Sequence, residues 1–159
     1  MEKVEMNKDM KLSEHFTLGE VTKTQYATKD GNIPSRVAIE NLKNLCENWL
    51  EDLRYSYNAL YKGQPESPLV INSGYRSPEV NKRAGGAPTS NHLTGCAVDI
   101  RVSGFEQAIR YASILLDNSD GTKRDYDELF IERNKAGSHW IHFAVKPKGN
   151  RRKAGFILT

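Results

Sequence analysis

Several features that would identify a class of protein at once are scarce in this 159-residue sequence. Its two cysteines, Cys46 and Cys96, are too few for a disulfide framework in a chain of this length, and we expect both to be reduced core residues. No apolar run approaches the roughly 18 residues of a membrane-spanning helix, and the first ten residues lack the apolar segment of a signal peptide. The net charge of +3 is too small to indicate nucleic-acid binding. We therefore expect no membrane insertion, no nucleic-acid partner and synthesis in the cytoplasm without an export signal.

The remaining composition, 27% charged and 38% apolar, is that of an ordinary globular domain. A chain of this length can bury roughly 70% of the surface that its unfolded form exposes, so we expect a single domain over residues 1–159. Residues 1–11 are predicted to be a mobile lead-in, and residues 146–159 a basic tail. The tail is predicted to be a solvated terminus, with attraction to an anionic scaffold as the alternative.

The pattern of apolar, capping and turn residues predicts an α+β fold, in which helices flank a small antiparallel sheet. A capping box at Thr17–Glu20 predicts a short helix, and Ser35 is expected to cap the longest helix of the chain. The other predicted elements are strands over 69–73, 97–102, 129–132 and 140–145 and helices over 78–84 and 105–116.

Three side chains are candidate metal ligands: His92, Asp99 and His142. Two neutral imidazoles and one carboxylate suit a catalytic zinc ion, because a fourth position stays open for a water molecule. In a β-strand alternate residues share a face, so Asp99 and His142 line one cleft if their strands are neighbours. Taken separately, each residue has an ordinary explanation, such as a hydrogen-bonded histidine or an ion pair between Asp99 and Arg101. Spacing alone leaves both interpretations open.

The motifs around these residues resemble a known family of zinc peptidases. The resemblance rests on Ser73-Gly-Tyr-Arg-Ser77, Gly85-Gly86, Ser90-x-His92-x-x-Gly95-x-Ala97-x-Asp99 and Trp140-Ile-His142. These runs look like the D-alanyl-D-alanine carboxypeptidase and L-alanyl-D-glutamate endopeptidase family, metallopeptidase family fifteen, of the phage or prophage type. The resemblance extends from about Leu12 to Arg152 and implies the fold group that also contains the hedgehog signalling domain.

The resemblance implies a role for each matching residue. His92, Asp99 and His142 would hold one zinc ion, and Arg76 would bind a carboxylate or carbonyl of the substrate near it. Ser90 would hydrogen-bond the site or the substrate, with a purely loop-stabilising role as the alternative, and Trp140 would form a wall of the cleft. The implied activity is hydrolysis of peptide bonds in peptidoglycan stems or cross-links, by a carboxypeptidase or endopeptidase resembling an endolysin. We expect a monomer that acts on the cell wall after release or lysis.

The general base is the point at which the sequence departs from many relatives. They carry an acidic residue three positions before the last ligand, where this chain has His139. We predict His139 as the base, although strand parity requires a turn or a bulge to bring it to the metal, and Glu132 is the second candidate. The missing acid also favours an alternative function, in which the domain is a catalytically weak or inactive structural or cell-wall-binding module that keeps the metal.

Overall fold

The computed structural model describes residues 6–159, so the predicted lead-in over residues 1–11 lies partly outside the described residues. A small antiparallel hairpin consists of β1 (Lys11–Ser13) and β2 (Phe16–Thr17). The helix predicted at Thr17 is a turn. Its capping hydrogen bonds between Thr17 and Glu20 form, but the Val21 carbonyl accepts the Tyr75 amide instead of continuing a helix. After the first turn, this segment therefore hydrogen-bonds to the chain near Tyr75 instead of forming further helical hydrogen bonds.

The predicted long helix is present as a continuous helical segment over residues 36–62. Ser35 caps α1 (Arg36–Leu45), since its hydroxyl accepts the Ala38 amide proton. A wider π-type turn links α1 to α2 (Glu51–Tyr57), and a second π-type turn leads to Gly63, whose φ of 71° ends the segment. Beyond it lie α3 (Pro78–Arg83) and α4 (Phe105–Thr122), which correspond to the two other predicted helices.

The fold is α+β, as predicted, and its main sheet has five strands. They are β3 (Ile71–Ser73), β4 (Ala97–Arg101), β5 (Glu128–Arg133), β6 (His139–Ala144) and β7 (Lys153–Leu158). Their order is β3-β4-β6-β5-β7, antiparallel throughout except for the parallel pair of β5 and β7. The predicted antiparallel part is thus present, and the end of the basic tail adds a parallel edge strand to it. Within residues 6–159 no helix is both long and apolar enough to cross a membrane.

The two faces of this sheet have different roles. One face carries a buried apolar row that packs against the helices, and the Trp49 and Phe143 rings meet there at 5.2 Å between centroids. Val98, Ile100 and Ile141 belong to the same row and are fully buried, as parity predicts. The alternate residues of the same strands must point to the opposite face, and that face carries the polar side chains described next.

Candidate metal centre and catalytic cleft

A cleft of about 580 Å³ lies over the polar face of the sheet. The strand register brings its residues together: Asp99 of β4 lies opposite His142 of β6, and His142 lies opposite Phe130 of β5. One step further along, Trp140 lies opposite Glu132. All five side chains line the cleft, so the pairing of three strands assembles it.

His92 reaches the cleft from a short 3₁₀ helix, Asn91–Thr94, between α3 and β4. The Ser90 hydroxyl caps this helix by accepting the His92 amide proton. The helix ends at Gly95 with φ of 74°, where an added Cβ would lie 2.4 Å from the Ala38 carbonyl oxygen. Only glycine fits so close to α1 in this backbone conformation. Gly95 therefore allows the end of this helix to pack closely against α1, and the nearby His92 is only 3% exposed.

The three candidate ligands converge. His92 Nε2 is 3.4 Å and His142 Nδ1 is 3.1 Å from the same Asp99 oxygen, Oδ1, and one ligand atom from each residue lies within 4.8 Å of the others. His92 Nδ1 is 2.7 Å from the Gly74 carbonyl oxygen, which can only accept, so in the neutral ring this nitrogen carries the proton and Nε2 has the lone pair. Two imidazole nitrogens and a carboxylate oxygen in buried positions are the donor set of a three-ligand zinc site, and these residues fit that ion.

The charges of these side chains follow from this arrangement. Burial would raise the pKa of Asp99, but the two histidines outweigh it and hold the pKa well below its usual range. Burial would lower the pKa of His142, but hydrogen bonds to Asp99 and Glu128 outweigh it and raise the pKa to about 9. At neutral pH His142 is therefore protonated and carries a positive charge between the two carboxylates.

Comparison with known families agrees with this geometry. A family profile described as Peptidase M15 matches residues 14–132 of the chain. The chain belongs to the peptidase M15 family. A search of curated proteins finds no match. The matched segment contains His92 and Asp99 and ends before His142, and the sheet pairing brings this third candidate ligand opposite Asp99.

Three other predicted site residues of the M15 domain also line the cleft. Arg76 donates from Nη2 to Asp99 Oδ2 at 3.3 Å and from Nε to Ser73 Oγ at 3.2 Å, so its guanidinium is held beside the candidate ligands. Ser90 has the loop-stabilising role described above. The Trp140 indole N–H donates to Glu132 Oε2. Contact of Arg76, Ser90 and Trp140 with a substrate stays a prediction.

The two candidate bases lie on opposite faces of the sheet. β5 and β6 pair in regular register up to Arg133 and His139, without the bulge that a base at His139 requires. The His139 ring instead lies 5.4 Å from the Phe105 ring of α4, on the far side from the ligands. Glu132 lines the cleft, and burial there raises its pKa, opposed by the charge on His142. The geometry does not bring His139 to the cluster and favours Glu132.

Sequence reasoning missed one acidic residue beside the ligands. Glu128 Oε1 is 3.0 Å from His142 Nε2, and a hydrogen bond to this histidine lowers the pKa of Glu128. The strand prediction began at the first apolar residue, Leu129, one position too late to include it. Parity carried back from Glu132 along β5 would have placed Glu128 on the same face.

Proposed function

We propose that this M15 family member is a zinc-dependent peptidase that hydrolyses the peptide stems or cross-links of peptidoglycan, as an endolysin-like carboxypeptidase or endopeptidase. One observation carries the proposal. Three ligand-type side chains, a carboxylate at Glu132 and a guanidinium at Arg76 share a single cleft, where hydrolysis of a peptide bond needs a metal, a base and an anchor for the substrate.

A zinc ion held by His92, Asp99 and His142 would supply Lewis-acid polarisation of a carbonyl and a nucleophilic water at neutral pH. The proton transfers fall to Glu132. Its carboxylate accepts a proton from the attacking water and returns it to the leaving amine, and a raised pKa brings it nearer to the working pH. The Trp140 N–H holds one Glu132 oxygen in place, which leaves the other for proton transfer.

Arg76 is suited to hold the substrate. A guanidinium has five N–H donors, and the bonds to Ser73 and Asp99 use only two of them. The remaining donors can bind a carboxylate or a carbonyl of the peptide in a fixed orientation. This matches the need of a peptidoglycan peptidase, because stem peptides carry free carboxylates. Action on the wall after release from the cell is part of the same proposal.

The test compares hydrolysis of defined muropeptides, with mass spectrometry of the products, by the parent and two variants. We expect Glu132→Gln to keep its zinc and to lose about 10²- to 10⁴-fold in rate, the usual contribution of a general base. His139→Gln is the matched control and should hydrolyse at the parental rate. Parental rates for Glu132→Gln together with slow hydrolysis by His139→Gln would contradict the assignment of the base.

A second candidate is a metal-binding structural or wall-binding module without strong catalysis. The residue that favours it is the histidine at position 139 in place of an acid. Glu132 weakens this argument, because a carboxylate lines the cleft from another strand. A zinc-loaded protein that binds cell walls but releases no new amino termini would support the second candidate.

A further inference from the structure

We infer that Glu128 is a positioning residue, which fixes the ring nitrogen that His142 presents to the metal. The inference rests on the proposed zinc site and goes beyond it. Glu128 does not belong to the converging ligand set and reaches the metal only through His142.

The His142 ring is held on both sides. Its Nδ1 is 3.1 Å from Asp99 Oδ1, on the side of the ligand cluster, and its Nε2 is 3.0 Å from Glu128 Oε1 on the other side. A neutral imidazole has one proton, and a carboxylate on Nε2 keeps the proton there, so Nδ1 retains its lone pair for a metal. The Phe130 ring stacks on the imidazole with an interplanar angle of 13° and a centroid distance of 5.7 Å, which limits tilting.

Glu128 is itself held in place by residues outside the ligand set. Asn91 Nδ2 donates to Glu128 Oε1 at 2.7 Å and to Asp127 Oδ2 at 2.9 Å. The Asp127 side chain is fully buried and accepts from the Arg151 amide, Nε and Nη2 at 2.8–3.0 Å. Arg151 Nη2 also lies 3.6 Å from Glu128 Oε2. Glu128 is therefore held by neighbouring side chains at both of its carboxylate oxygens.

The arrangement connects the two histidine ligands. Asn91 directly precedes His92 in the 3₁₀ helix, and its side chain bonds the carboxylate that orients His142. A shift of the segment that carries the first ligand would therefore also move the group that orients the last one. Sequence motifs alone would not show this, because Glu128 and Asn91 are 37 positions apart.

The experiment measures zinc affinity at about pH 10, where protons no longer compete with the metal for His142, by competition with a chromophoric chelator. The ring protonation of His142 is measured by ¹⁵N NMR of the zinc-loaded protein. We expect Glu128→Ala to lower zinc affinity about 10- to 100-fold and to allow a mixture of ring tautomers. Glu128→Gln should restore part of the affinity, because its amide oxygen can still accept the Nε2 proton. Glu132→Gln is the matched control, since it removes a carboxylate of the same cleft and should leave zinc affinity unchanged.

The outcomes separate this inference from the proposed function. Parental affinity and an unchanged His142 tautomer in Glu128→Ala, with zinc bound and muropeptides cut by the parent, would overturn the positioning role alone. A parent that binds no zinc would overturn both. If Glu128→Ala fails to fold, as judged by circular dichroism, the Glu128→Gln variant decides. Parental zinc affinity together with a mixture of His142 tautomers in this variant would contradict the inference. A modest loss of zinc affinity with the His142 proton kept on Nε2 would support it.

Discussion

The proposed zinc site predicts an affinity that depends strongly on pH, because His142 must lose a proton before it can bind the metal. In the metal-free protein, hydrogen bonds to Asp99 and Glu128 raise its pKa to about 9, and a metal ion binds only the neutral ring. Because pH 7 is two units below this pKa, the His142 ring is neutral in only about one molecule in a hundred. Competition with this proton should therefore weaken zinc binding about 100-fold at pH 7 relative to pH values well above 9.

The same shift has a consequence for the stability of the metal-free protein. Because the folded-state pKa is raised above the unfolded value of about 6.5, the contribution is fully present below pH 6.5 and is lost as the pH rises through 9. The difference of two to three units corresponds to about 3 kcal/mol in the free energy of unfolding. Asp99 acts in the opposite range: its pKa is lowered, so its contribution is present above about pH 4 and is lost on acidification.

The assay is chelator-buffered zinc titration between pH 6 and 10, with urea denaturation of the metal-free protein at the same pH values. We expect His142 to add about one log unit of zinc affinity per pH unit up to pH 9, with the slope decreasing beyond it. Glu128→Gln should move the end of this range to lower pH, because one of the two carboxylates beside the ring is gone. Zinc affinity that is constant between pH 7 and 9, or a His142 titration near 6.5, would refute the reasoning.

Three further outcomes can be measured on single variants. His92→Ala should abolish stoichiometric zinc binding, measured by metal analysis after dialysis, because two ligands alone hold zinc weakly. Gly95→Ala should lower the free energy of unfolding by about 3 kcal/mol or more and weaken zinc binding. The left-handed conformation costs a non-glycine residue about 1–2 kcal/mol, and the added carbon also meets the Ala38 carbonyl. Equal urea midpoints for variant and parent would contradict this. Asp127→Ala should lower the free energy of unfolding by about 3 kcal/mol, because charge-assisted hydrogen bonds to the buried carboxylate are lost. Asp125→Ala removes only an exposed ion pair and should cost less than about 1 kcal/mol. Similar costs for the two variants would count against a stabilising role of the buried Asp127 contacts.

The elements that the sequence predicts well are those set by local periodicity. Alternation within β4 and β6 predicts Asp99 and His142 on one face, and Ile141 and Phe143 on the other, without any information on strand pairing. Ser35 marked the start of the long helix because capping depends on neighbours three residues away.

The elements that were missed depend on contacts distant in the sequence. Residues 153–158 join Lys-Ala-Gly to Phe-Ile-Leu, and this apolar run of three is too short to indicate a strand, yet the segment pairs in parallel with β5. The side of the sheet on which His139 lies depends on whether β6 begins with a bulge. Only the register with β5 shows that it does not. The contact between Glu128 and His142 joins two strands and residues 14 positions apart, so only the strand pairing shows it.

The pairing of β6 between β4 and β5 has a consequence for the order of events during biogenesis. The candidate ligands lie on three chain segments that meet only when the central strand is in place, and His142 and Asp99 are 43 positions apart. A nascent or denatured chain offers no preformed chelate, so we expect zinc capture to follow assembly of the sheet and then to slow its disassembly. Loss of the ion, for instance to a chelator, should then shorten the lifetime of the folded protein.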